Sequence, residues 1–244
     1  MITPKAFRIL AHAVVETLKI SAPTVVEAAR GLSLHPEWND RLDRWSAKLL
    51  REVGIVLDVH GRENVDPNEV YVVMSNHQSL YDIPVVFQAF KRPLRMVAKK
   101  ELFRVPIWGK AMKTSGFVEL DRKNRQKAIQ SLKEARRFME RDGISLWIAP
   151  EGTRSKTGVM GKLKKGGFHM ALDTGLRILP ITIDGTRDVL QKGERRVEHG
   201  TKVRVTIHKP VQATDYGYPK IRALMHDVRA TIAEPLPPEL RGQE

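Results

Sequence analysis

From Val53 onward the chain alternates short apolar runs with segments of helical period, and that alternation leaves few folds open. Val53–Val59, Val70–Met74, Leu94–Ala98, Phe117–Leu120, Leu146–Ala149, Ile178–Ile183 and Val203–Ile207 all have strand length. Several are nearly continuous in Val, Ile and Leu, the texture of strands covered on both faces. Helical periodicity fills the gaps near Ile83–Phe90, Arg125–Arg141 and Lys165–Gly175. A last helix runs from about Pro219 to Ala233 and is ended by Pro235, Pro237 and Pro238. Such alternation predicts an α/β fold, a mixed and largely parallel central sheet flanked by helices.

Residues 1–53 have a different texture, and the chain divides there into an N-terminal amphipathic helical hairpin and an α/β domain over 54–244. Phe7, Leu10, Ala11, Val14 and Leu18 recur at helical spacing. Pro36 suits the first turn of a second helix whose stripe is Trp38, Leu42, Trp45 and Leu49. Arg41, Arg44, Lys48 and Arg51 lie off that stripe, a pattern that fits a helix lying in a membrane interface and fits equally a hairpin packed on a core. No run reaches the ~18 consecutive apolar residues of a spanning helix. The best, Ile9–Val15, is interrupted by His12 and closed by Glu16 and Lys19, so the expectation is a chain that either stays soluble or lies on a membrane and does not cross one.

Charge narrows the partners. The 244 residues carry 42 Lys+Arg against 28 Asp+Glu, a formal +14, which points to nucleic acid, a phosphorylated small molecule or an acidic membrane. Two basic runs, Lys91–Lys113 and Arg122–Arg141, read mainly as solvated faces that abut strand ends. Aromatic content is only 6%, and Trp38, Trp45 and Trp108 lie in helical or loop segments, so no nucleic acid partner is expected. The absence of cysteine excludes disulfides, thiolate metal sites and a cysteine nucleophile. The eight His show no H-x-x-x-H spacing, so neither a metal nor a cofactor is expected.

Four segments carry candidate chemistry. Ser75-Asn76-His77-Gln78-Ser79-Leu80-Tyr81-Asp82 follows a strand, and an imidazole there can act as general base if a carboxylate holds its other nitrogen. His77 and Asp82 are too far around an ideal helix to meet, so His77 must sit in the loop and Asp82 in the first helical turn. Ile148-Ala149-Pro150-Glu151-Gly152-Thr153-Arg154-Ser155 also leaves a strand end, and it can present an acid, a guanidinium and backbone N–H groups. Gly116 to Arg122 is a strand ending in a cation, and Ile178-Leu179-Pro180-Ile181 is an apolar strand bearing proline. Singly, each is more often plain structure than site.

In this order the four blocks resemble the glycerolipid acyltransferase family, the bacterial 1-acyl-glycerol-3-phosphate acyltransferases in particular. The likeness rests on N-H-x-x-x-x-D at Asn76, His77 and Asp82, G-x-x-x-x-x-R at Gly116 to Arg122, P-E-G-T-R-S at Pro150 to Ser155, and the strand around Pro180. Val97-Ala98-Lys99-Lys100-Glu101-Leu102 and Lys164-Lys165-Gly166-Gly167 are similar as well. Ala149 departs from the Phe usual before the proline, and Glu119 from the aliphatic or aromatic residues usual in the second block. The resemblance implies transfer of an acyl group from acyl-CoA or acyl-carrier protein to the hydroxyl of a lysophospholipid, 1-acyl-sn-glycerol 3-phosphate first and lyso-ornithine lipid as the alternative. It implies His77 as base and Asp82 as its orienting acid, with no covalent acyl-enzyme. Arg122, Glu151, Gly152, Thr153 and Arg154 would then hold the acceptor, with Lys100 holding phosphate or bordering the acyl chain. An enzyme of this kind is expected at an anionic membrane surface, on the cytoplasmic face of the cell membrane, docked through residues 1–53.

Overall fold

The computed structural model describes residues 4–32, 37–120, 125–194 and 196–243. Two helices open the chain, α1 (Pro4–Ala29) and α2 (Glu37–Glu52). Then come β1 (Val56–His60), β2 (Tyr71–Ser75), α3 (Asp82–Phe90), β3 (Leu94–Lys99), α4 (Trp108–Thr114) and β4 (Val118–Leu120). The chain continues through α5 (Arg125–Asp142), β5 (Ser145–Ile148), α6 (Gly166–Thr174), β6 (Arg177–Asp184) and α7 (Thr186–Val189). It closes with β7 (Lys202–Ile207) and α8 (Ile221–Ala233).

All strands join one sheet in the order β1-β7-β6-β2-β5-β3-β4. Among the described residues only the β6–β7 strand pair is antiparallel, so β6, β2, β5, β3 and β4 run one way and β7 and β1 the other. Every residue of β2 is buried, because helices cover both faces of the sheet. Val73, Leu179 and Ile181 pack toward α2 and α3, while Val72, Met74 and Ile178 pack toward α5, α6 and α8. The mixed α/β fold expected from the alternation is the one found. The first strand starts later than its apolar run suggests: Gly54, at φ +64, turns the chain before Val56.

The hairpin corrects one expectation. Trp38, Leu42 and Leu49 are buried, and Trp45 meets Phe87 of α3 edge-on, with ring centroids 6.4 Å apart. The Trp/Leu stripe of α2 therefore faces the protein body, not a membrane. Burying one Trp contributes ~3–5 kcal/mol, whereas an exposed ion pair contributes ~1 at most, so packing decides how α2 sits. Polar ties fix α1 to α2: Glu16 accepts from Lys48 at 2.8 Å, Glu27 from Trp38 at 2.7 Å, and Thr17 from Trp45 at 3.2 Å. Lys19 and Lys48 hold the Glu16 carboxyl down to about 2. The exposed apolar surface lies on α1 instead, where Phe7 is 65% and Val14 59% exposed, with Val15, Leu18 and Val26 beside them.

Residues Phe7–Ala29 are, by length and composition, long and apolar enough to cross a membrane. A count of consecutive apolar residues misses this because His12, Glu16 and Lys19 interrupt the run. A second correction concerns the first basic run. Arg95 is wholly buried, donating to the carbonyls of Ser115 and Leu94 and to Asn39, and burial pushes its guanidinium down to about 10.

Candidate active site

β2 lies between β6 and β5, and all three are parallel, so their carboxyl ends deliver three loops to one edge of the sheet. That edge is where open α/β sheets bind ligands. Asn76 extends the ladder one step by side chain. Its Nδ2 donates to the Ile183 carbonyl and its Oδ1 accepts from the Ile183 N–H, each at 2.8 Å. Held there, the backbone leaves the sheet and turns into α3.

His77 sits in this loop and Asp82 opens α3, the arrangement their spacing required. His77 Nδ1 is 2.7 Å from Asp82 Oδ2. The same oxygen accepts the N–H groups of Gln78 at 2.7 Å and Ser79 at 2.9 Å. Asp82 Oδ1 accepts the Thr186 hydroxyl from the start of α7. Asp82 is fully buried, and these donors replace the water it has lost. With Nδ1–H committed to the carboxylate, Nε2 is the nitrogen left to accept a proton. Trp147 stands edge-on to the imidazole, with centroids 6.0 Å apart.

The Pro150–Ser155 turn is attached to the same loop from two sides. Ser155 N–H donates to the His77 carbonyl at 2.8 Å, and Glu151 Oε1 accepts the His77 N–H at 2.7 Å. Glu151 Oε2 takes the Gly161 N–H at 2.8 Å. This acid is 6% exposed and has both oxygens engaged inside the fold, so it braces the histidine loop rather than facing an acceptor. Burial pushes its carboxyl up, against the pull of its two N–H donors. Gly152 has φ +73, and a Cβ there would stand 2.9 Å from Lys164 Nζ. Thr153 is exposed and Arg154 half-buried at the surface of the turn. Lys192 Nζ donates to Thr153 Oγ1 at 3.0 Å and to the Arg154 carbonyl at 2.7 Å. Lys164, Lys192 and Arg154 thus gather cations around one turn beside the imidazole.

One expected residue stands apart from this cluster. Lys100 leaves the carboxyl end of β3, on the far side of β5 from β2. Arg122 lies outside the described residues. Conversely, Thr186 and Lys192 were not singled out from the sequence. Thr186 is 104 residues from the carboxylate it serves, and only the β2–β6 pairing brings them together.

An apolar cavity of about 510 Å³ adjoins the loop, between the hairpin and the body. Leu80 and Tyr81 line it beside the active loop, with Leu18 of α1, Trp45 of α2, Phe87 of α3 and Met112 of α4. Polar groups are few, so its natural occupant is a hydrocarbon chain.

Residues 56–184 match the Acyltransferase family. The chloroplastic 1-acyl-sn-glycerol-3-phosphate acyltransferase LPAT1 of Arabidopsis thaliana is 32% identical over 206 residues, covering 82% of this chain and 56% of that protein. The 1-acyl-sn-glycerol-3-phosphate acyltransferase alpha of Mus musculus is 31% identical over 179 residues, covering 73% of this chain and 63% of that protein. The chain therefore spans somewhat more than half the length of these curated relatives. The crystal structure of the 1-acyl-sn-glycerophosphate (LPA) acyltransferase PlsC from Thermotoga maritima superposes with a TM-score of 0.72 at 25% identity, covering 94% of this chain and 97% of that one. Motif order, sheet topology and the match across 56–184 agree: this chain belongs to the acyltransferase family.

Proposed function

We propose that this protein transfers a fatty acyl group from a thioester, acyl-CoA or acyl-carrier protein, to the free hydroxyl of 1-acyl-sn-glycerol 3-phosphate, giving phosphatidic acid. The observation that carries the reading is the His77–Asp82 pair at 2.7 Å, tied through Ser155 and Glu151 to a cation-rimmed turn. His77 Nε2 takes the proton of the acceptor hydroxyl as its oxygen attacks the thioester carbonyl carbon. The tetrahedral adduct then collapses, the C–S bond breaks, and the imidazolium returns the proton to the leaving thiolate. Asp82 holds the ring and offsets the positive charge that forms. Arg154, with Arg122 and Lys100 as further candidates, meets the acceptor phosphate. Gly152 lets the Lys164 side chain approach the turn, and Thr153 is held in the turn by Lys192. The apolar cavity takes an acyl chain.

The exposed face of α1 rests on the cytoplasmic side of an anionic membrane, where the lysolipid acceptor resides. Leu80 and Val105, both exposed at the cavity lining, add apolar surface there. Purified protein given lysophosphatidic acid and an acyl-CoA should form phosphatidic acid, identified by mass spectrometry. Turnover of lyso-ornithine lipid in preference would reassign the acceptor, and no turnover across a panel of lysolipids and thioesters would remove the reading.

A further inference from the structure

Residues 149–165, between β5 and α6, form no helix or strand, and they carry Glu151 and the turn beside the imidazole. A stretch without a ladder of its own takes its shape from bonds to other parts of the chain. The second half of this loop meets the segment that follows α8. The N–H of Met160, a buried residue, donates to the Leu240 carbonyl at 2.8 Å. The Leu240 side chain lies against Gly158, with Cδ2 3.2 Å from where a Cβ there would stand. The next residue, Gly161, gives its N–H to Glu151 Oε2, and Glu151 Oε1 accepts the His77 N–H. A run of contacts thus joins the last described residues of the chain to the histidine loop.

Two guanidinium groups hold that segment in place. Pro235, Pro237 and Pro238 have no N–H to give, so the chain cannot continue α8. Beyond Leu236 none of the described residues is buried, so hydrogen bonds rather than core packing decide where the segment runs. Arg229 of α8, itself buried, donates through Nη2 to the carbonyls of Arg241 at 2.8 Å and Gln243 at 3.2 Å. Arg241 reaches back through Nε and Nη2 to the carbonyls of Leu236 and Glu234, each at 2.9 Å. Gly242 crosses the loop at φ +68, and a Cβ there would collide with the Met160 carbonyl oxygen. Any larger residue would strain the backbone and push the two segments apart.

We propose that residues 238–243 are a positioning strap for the proton-accepting imidazole. The strap fixes Met160, Met160 places the adjacent Gly161 N–H, that N–H turns Glu151, and Glu151 holds the His77 backbone. Glu151 is the relay because it is buried and depends on its donors in place of water. Withdrawal of Gly161 leaves one of its oxygens unsatisfied and frees the carboxylate to leave the His77 N–H. Asp82 aims the ring, and the strap fixes the backbone from which the ring projects. The cations of the turn are held separately, by Lys192 on Thr153 and the Arg154 carbonyl, so the strap acts on turnover and leaves acceptor binding alone. The effect on turnover rests on the acyl-transfer reading; the link from strap to histidine loop does not.

The test compares amide hydrogen exchange and steady-state kinetics of the full chain with those of Gly242→Val, which forces the segment off Met160, and Arg229→Gln, which releases its carbonyls. In either variant, exchange at the His77 and Gly161 N–H groups should quicken about ten-fold or more, while the amides of β3 and the thermal unfolding midpoint stay where they were. Turnover should fall about ten-fold in kcat at constant KM for both substrates. Arg229→Lys, which keeps a charged donor, should recover part of both effects, and Gly242→Val decides the question if Arg229→Gln does not fold. Faster exchange confined to residues 229–243 overturns the strap. Exchange that quickens everywhere together with a lowered midpoint overturns it as well, since the segment would then prop the whole fold. Loosened His77 exchange with unchanged kcat, or with a change in KM alone, overturns the effect on turnover. The same loosening in a chain that turns over no lysolipid keeps the link and strikes the acyl-transfer reading instead.

Discussion

One buried carboxylate organises the chemistry. Asp82 accepts from His77, Gln78, Ser79 and Thr186, so the imidazole is held by a group that is itself fixed from three other directions. His77→Ala should lower acyl transfer by about 10²- to 10⁴-fold, the usual contribution of a general base, and leave the thermal unfolding midpoint where it was. Unchanged turnover in that variant would place the base elsewhere. Thr186→Val tests the brace behind it. Loss of one charge-assisted hydrogen bond, about 1.4 kcal/mol in the transition state, should reduce kcat about ten-fold at constant KM. Thr186→Ser should restore most of it, whereas a variant that changes KM alone would show that Thr186 serves binding.

At the level of helices and strands, some features could be read ahead of the structure and others could not. The seven strands among the described residues were visible as short apolar runs, most plainly where both faces are buried: β2 holds Val72, Val73 and Met74, and β6 is buried from Ile178 to Ile183. The short helix α4 was not: Trp-Gly-Lys-Ala-Met-Lys-Thr is too brief and too rich in Lys to show a period. For α2 the stripe was correct but its direction was open, since a Trp/Leu face suits a membrane and a core alike. His77 and Asp82 were visible because a short spacing after a strand constrains them. Thr186 and Lys192 were not, because pairing between distant strands has no local signature. The inward turn of Glu151 was hidden for the same reason. The proposed membrane contact is made through α1, so Phe7→Asp with Val14→Asp should reduce co-sedimentation with anionic vesicles several-fold while the fold stays intact. Equal sedimentation of that variant and the wild type would move the contact to another surface.

The fold as a unit carries a pH signature traceable to Glu151. Its folded-state carboxyl titrates above the ordinary range because of burial, so between the two values the folded chain keeps a proton that the unfolded chain has released. The stability that Glu151 contributes is thus full below the ordinary value and is lost as pH rises through the raised one. Glu151→Gln, neutral throughout, should remove that decline. Chemical denaturation of both chains between about pH 4 and pH 7 should show their difference shifting in favour of the variant as pH rises. A difference that is flat, or that shifts the other way, would mean that the N–H bonds from His77 and Gly161 outweigh burial.

The convergence of β2, β5 and β6 on one sheet edge has a consequence for biosynthesis. As the chain leaves the ribosome, its imidazole emerges well ahead of the segment bearing the Thr186 hydroxyl that steadies its partner. A half-made polypeptide therefore carries His77 and Asp82 without the hydroxyl that completes the carboxylate's hydrogen bonds, and the loop is fully braced only after residue 186 has been made.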